Sequence, residues 1–93
     1  MAIARTAEHL DVDFDAEEDV LYISLGNPGA SHTDEVADGV LLRWANSDNR
    51  PSGVTALDFR SNWRDRRQRF CSLVADHLKV PVQLVEREID RAI

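Results

Sequence analysis

The 93 residues are 43% apolar and 30% charged, with a formal net charge of −6. That is enough apolar material for one folded domain and too much for a disordered chain. The single cysteine, Cys71, excludes an intramolecular disulfide, and no apolar run reaches the ~18–20 residues that span a bilayer.

The stretch Met1–Thr6 lacks the apolar core of roughly 7–15 residues that marks a secretory signal, so a cytoplasmic location and no membrane contact are expected. Residues 1–50 hold eleven Asp/Glu against three Lys/Arg, giving −8, whereas residues 51–93 hold six against eight, giving +2. The acidic half disfavours nucleic acid as a partner of the whole molecule. It suits a protein–protein module or head-to-tail association of unlike faces.

Along the chain, Leu10-Asp11-Val12-Asp13-Phe14-Asp15 alternates strictly, placing three apolar side chains on one face of a strand and three aspartates on the other. A second strand follows at Asp19–Leu25, with Leu21, Ile23 and Leu25 on one face. Gly26-Asn27-Pro28-Gly29 is a turn. Ser31–Glu35 reads as a polar approach to a third strand, Val40–Trp44, with Gly39 as a bulge at its entrance. Asn46–Gly53 reads as a loop, and Val54–Phe59 as a fourth strand with Leu57 and Phe59 facing inwards.

The period then changes to that of a helix. Asn62 is the expected N-cap, and Phe70, Leu73, Val74, His77 and Leu78 make an amphipathic stripe that should stop near Lys79. Pro81 opens a second helix with Val82, Val85, Ile89 and Ala92 along one stripe. The expected fold is one α+β domain: an antiparallel β-meander of about four strands over residues 10–60, then two helices over residues 62–93. Its expected core is Leu10, Phe14, Leu21, Ile23, Leu25, Val40, Leu42, Leu57 and Phe59.

Three elements in order carry a family resemblance. They are the acidic lead-in and strand Asp15–Leu25, the element Thr33-Asp34-Glu35-Val36-Ala37-Asp38-Gly39-Val40, and Leu57-Asp58-Phe59. Over Asp13–Asn62 the chain resembles a bacterial and archaeal domain-of-unknown-function family, number 2283. The resemblance implies a small β-rich unit with no established activity. Members often end soon after the fourth strand, whereas residues 63–93 continue here, and that tail is expected to carry what is particular to this protein.

No residue is assigned a catalytic, cofactor-binding or metal-binding role. Asp11, Asp13, Asp15 and Glu17 alternate like calcium ligands, but Ala16 and Tyr22 stand where an EF-hand needs its Gly and its final Glu. His9, His32 and His77 lack zinc spacing. His77 is expected as a hydrogen-bonded core or interface histidine. Cys71 and His77 lie about 240° apart around a helix, and Cys71 reads as a small buried hydrophobe.

The tail resembles a helix-turn-helix in its apolar register, and Arg64, Arg66, Arg67 and Arg69 lie just upstream. Against that stand Lys79 at the turn and Glu86, Glu88 and Asp90 on the would-be recognition helix.

Three functional classes remain. The favoured one is a non-enzymatic interaction or regulatory module acting as a homo-oligomer, in which Val82, Val85 and Ile89 pack across a two-fold axis and Arg64, Arg66 and Arg67 rim the contact. The second is a nucleic-acid-binding regulator using the helical pair. The third is an enzyme or small-ligand binder with a site at a dimer interface, drawing on Tyr22, His32, Trp44 or Trp63.

Overall fold

The computed structural model describes residues 9–26 and 29–93. Five strands, β1 (Leu10–Asp15), β2 (Val20–Leu25), β3 (Ser31–Ala37), β4 (Val40–Ala45) and β5 (Pro51–Leu57), form one antiparallel sheet in the order β1-β2-β5-β4-β3. A short helix α1 (Phe59–Trp63) and a 3-10 turn (Arg64–Arg66) lead into the two C-terminal helices, α2 (Arg67–Leu78) and α3 (Val82–Ala92). The chain is α+β, an antiparallel sheet followed by helices.

The strand order is not that of a simple up-and-down meander, because β5 inserts between β2 and β4. Its Val54 and Ala56 are both fully buried, and the central position covers them from both sides. The stretch read as a polar approach is the added edge strand β3. Its outer side pairs with nothing among the described residues, so little of it is buried and its sequence shows no apolar alternation.

Gly39 is not a bulge. It sits in the β3–β4 turn at φ +75°, where a Cβ would come within 2.7 Å of the Leu57 carbonyl oxygen. The irregular pairing falls between Glu35 and Ala37.

The last strand is displaced from its expected span. β5 begins at Pro51, which is tolerated at the start of a strand, and it ends at Leu57. Asp58 then turns the backbone into the left-handed region (φ 52°, ψ 47°), and Phe59 opens α1 instead of extending the strand. The inward residues of β5 are therefore Val54 and Ala56. Leu57, expected in the core, faces away and is 41% exposed, whereas Phe59 reaches the core from the helix.

Asn62 is not an N-cap, since it lies inside α1. Its amide donates to the carbonyls of Asp38 (3.1 Å) and Leu57 (3.3 Å). The N-terminus of α1 is served from across the fold by Asp19, whose carboxylate accepts the Arg60 backbone N–H and Nε, each at 3.0 Å. Burial works against an ionised Asp19, but the backbone and side-chain bonds from Arg60 outweigh it and hold the carboxyl below its ordinary 3.8. The helix expected as one piece is broken at Arg64–Arg66. There the Trp63 indole N–H and the Arg66 guanidinium both bond to Asp38, at 3.3 and 2.9 Å.

All the helices pack on one face of the sheet. The core joins Leu10, Leu21, Ile23, Val40, Val54 and Ala56 to Phe59, Trp63, Phe70, Cys71, Val74, Leu78, Val85 and Ile89. Edge-on aromatic contacts link Phe14 to Phe59 and Phe59 to Phe70, with centroids 6.2 and 5.0 Å apart. Helix α3 lies against β1 and α2.

Candidate functional site

Among the described residues, the opposite face of the sheet carries no helix. Its residues follow from the strand register, because directly paired residues share a face. Across the middle run Asp13, Tyr22, Thr55, Leu41 and Glu35. Beside them run Asp11, Ser24, Gly53, Arg43 and Thr33, and Val20 and Leu57 pair at one end. Tyr22 and Leu57 are 42% and 41% exposed, two of the largest apolar side chains left at the surface.

Carboxylates flank this apolar centre on both sides: Asp11, Asp13 and Asp15 on β1, and Glu35 on β3. The Asp15 carboxylate also accepts the backbone N–H groups of Glu17 and Glu18, at 3.1 and 3.2 Å, which fixes the β1–β2 turn.

Among the described residues one Arg or Lys lies on this face, and it is spent on structure. The Arg43 guanidinium crosses β5 over Gly53, donating to the Ile23 carbonyl and to Ser24 Oγ (3.0 Å). Any side chain on Gly53 would collide with it. Burial weakens the hold of Arg43 on its proton, and its Nε has no partner among the described residues. Four carboxylates against one occupied guanidinium leave the face acidic.

On the helical side, Val85 and Ile89 are fully buried within the chain's own core, and Val82 is half-buried. The apolar stripe expected to meet a second copy is thus largely closed off by β1 and α2. The arginines diverge. Arg64 is exposed on the 3-10 turn, Arg66 lies over the Trp63 ring at 4.4 Å and pairs with Asp38, and Arg67 pairs with Asp90 of α3. Two of the three are therefore already neutralised within the fold, and Glu88 of α3 pairs with Arg87 and Arg91.

The remaining polar side chains do not converge. Trp63 is buried, Tyr22 lies on the open sheet face, and His32 Nδ1 meets Asn46 Oδ1 at 2.8 Å. His77 is half-buried. Its Nε2–H donates to the Arg43 carbonyl (3.1 Å) and its ring meets Trp44 edge-on at 4.7 Å. Burial lowers the proton affinity of His77, and the carbonyl bonds to Arg43 and Gly53 only partly offset that.

Cys71 is fully buried. Burial, with the Glu86 and Asp90 carboxylates outweighing Arg67, pushes its thiol up to about 11, which leaves almost no thiolate nucleophile at neutral pH. Among the described residues, no group of three or more His, Cys, Asp and Glu lies close enough to hold a metal ion, and no helix is long and apolar enough to cross a membrane.

The acidic alternation on β1 was visible in sequence. The open apolar centre was not, because Tyr22, Leu41 and Leu57 become neighbours only through the insertion of β5. No curated protein and no solved structure matches the chain. A family model described as a protein of unknown function, DUF2283, matches residues 11–60, which span the five strands apart from Leu10 at the start of β1, and the start of α1. With more than half of its 93 residues in that match, the chain belongs to the DUF2283 family.

Proposed function

We propose that this domain is a non-enzymatic protein-interaction module that docks a basic, amphipathic segment of another protein on the helix-free face of its sheet. One observation carries the reading: Tyr22, Leu41 and Leu57 form an open apolar centre, with carboxylates along β1 and β3 on either side. An apolar anchor with an oppositely charged rim is the anatomy of a specific contact.

Charge chooses the occupant. Face-to-face stacking of two copies would set acid against acid in either orientation, because the only Arg or Lys on the face among the described residues is bound to Ile23 and Ser24. Like charges across an interface cost affinity and slow encounter. A segment presenting Leu or Phe with flanking Lys or Arg meets both the centre and the rim. Among the readings that the charge asymmetry opens, this one needs no rearrangement of the fold.

The test uses the full chain and two synthetic amphipathic peptides of equal length, one Leu/Lys and one Leu/Glu, by calorimetry. The Leu/Lys peptide should bind, and more weakly as added salt shortens the screening length. Tyr22→Ser and the pair Asp11→Lys, Asp13→Lys should each weaken it by about ten-fold or more. Equal binding of both peptides, or indifference to these substitutions, overturns the proposal. So does a concentration-dependent dimer that Tyr22→Ser dissociates, because the occupant would then be a second copy.

A further inference from the structure

Strand β3 ends the sheet, and its outer edge pairs with nothing among the described residues. The Asn46 N–H donates to the Ala30 carbonyl at 3.0 Å, which sets the phase of the β3–β4 ladder, and the pairing is regular from Ser31 to Glu35. Opposed residues of an antiparallel pair alternate between bonded and non-bonded, so His32 and Asp34 bond to β4. The backbone N–H and C=O groups of Ser31, Thr33 and Glu35 therefore point away from the sheet. We propose that this edge pairs antiparallel with the same edge of a second copy, in the register that sets Thr33 opposite Thr33.

Side-chain chemistry selects that register. Bonds are exchanged only when an outward residue meets an outward residue, so the strands can slide only in steps that keep this match. Centred on Thr33, the whole regular stretch overlaps: each His32 faces the Asp34 of the other copy, each Ser31 faces a Glu35, and the threonines meet at the two-fold axis. Opposed Thr–Thr and donor–carboxylate pairs favour strand pairing, and like charges directly opposite disfavour it. His32 Nδ1 is held by Asn46 at 2.8 Å, which leaves Nε2 for Asp34 of the second copy. Sliding one way brings Asp34 against Asp34 and runs into the irregularity beyond Glu35; sliding the other way leaves only Ser31–Thr33 of the strand overlapping.

The other edge of the sheet offers no such match. The Gly26 N–H bonds to the His9 carbonyl at 2.9 Å, so the outward backbone groups of β1 are those of Leu10, Val12 and Phe14. Every self-pairing that overlaps three or more residues of β1 then opposes aspartate to aspartate, the usual protection of an open edge. Helix α3 also lies against β1.

Directly paired residues share a face, so two five-stranded sheets become one with all the helices on the same side. Thr33 lies on the helix-free face, and the docking face continues across the axis without being covered. The inference does not rest on the docking reading. A contact this short makes a weak, concentration-dependent dimer.

The experiment is sedimentation equilibrium of the full chain from micromolar to millimolar concentration, with amide NMR over the same range. A dimer should form, with the largest shifts at Ser31, Thr33 and Glu35. Thr33→Pro should weaken it at least ten-fold, because the outward N–H at the axis is lost; proline is tolerated on an edge strand where that N–H faces solvent. His32→Asp should weaken it about ten-fold by opposing carboxylates, and adding Asp34→Lys should restore the parent's affinity, since opposite charges then face each other again. Tyr22→Ser should leave the dimer unchanged.

A chain that stays monomeric at millimolar concentration overturns the inference. So does a dimer indifferent to Thr33→Pro, or one in which the double variant is as weak as His32→Asp alone. A dimer that Tyr22→Ser dissociates would place the contact on the open face and overturn the docking reading as well.

Discussion

His77 shows how one side chain can report on the whole fold. It was legible as a member of the α2 stripe, and the structure adds what the stripe could not show: its imidazole is desolvated, donates to the Arg43 carbonyl and meets the Trp44 ring. Its proton affinity in the fold lies below the ordinary value of 6.5, so the unfolded chain binds the extra proton first as pH falls. The stability this linkage gives is complete above about 6.5 and is lost as pH drops through the lower, folded-state value. Urea unfolding should show the parent losing stability between pH 7.5 and pH 5. His77→Gln, at a cost of about 1 kcal/mol for the hydrogen bond at neutral pH, should show a flatter profile over the same range. A profile in His77→Gln as steep as the parent's would place the titration elsewhere.

Elements were legible where burial imposes a period and illegible where it does not. The stripe of α2 appears as expected, with Phe70, Val74 and Leu78 buried, and β1 and β2 present the predicted inward faces. Two misreadings have opposite causes. Strand β3 is an edge with mostly exposed side chains, so no apolar alternation betrays it, and Leu57-Asp58-Phe59 imitates an alternating strand although Asp58 ends it in a left-handed turn.

Helix α3 is the reverse case, because its stripe was plain but its partner was not. A second copy and the chain's own sheet make the same demand on sequence, and only the structure shows Val85 and Ile89 meeting the core. Ile89→Ala should therefore cost about 2–5 kcal/mol, read from urea unfolding at low protein concentration. Val36→Ala, at a side chain 50% exposed on β3, should change stability by no more than about 0.5 kcal/mol. An Ile89→Ala loss that appears only at high protein concentration would move that residue to an interface between copies.

At the scale of the molecule, the family match and the folding unit do not coincide. The match ends at residue 60, but Trp63, Phe70, Cys71, Val74, Leu78, Val85 and Ile89 beyond it form half of the buried core among the described residues. Beyond the sheet, the tail is the lid on Leu21, Ile23, Val40, Val54 and Ala56, and it also holds two turns, through Arg60 to Asp19 and through Asn62, Trp63 and Arg66 to Asp38. Each large apolar side chain left without cover forfeits about 1.5–3 kcal/mol, and a domain of this size has on the order of 5–15 kcal/mol in total. A chain ending at Asp58 should then fail to fold: collapsed amide NMR dispersion and no cooperative urea transition are expected. Adding residues 59–93 as a separate peptide should restore both, because the missing contacts are packing and not chain connectivity. If the truncated chain instead unfolds cooperatively alone, the sheet is a domain in its own right and the helices are an appendage. The proposed docking face, made wholly of sheet residues, would then survive without them.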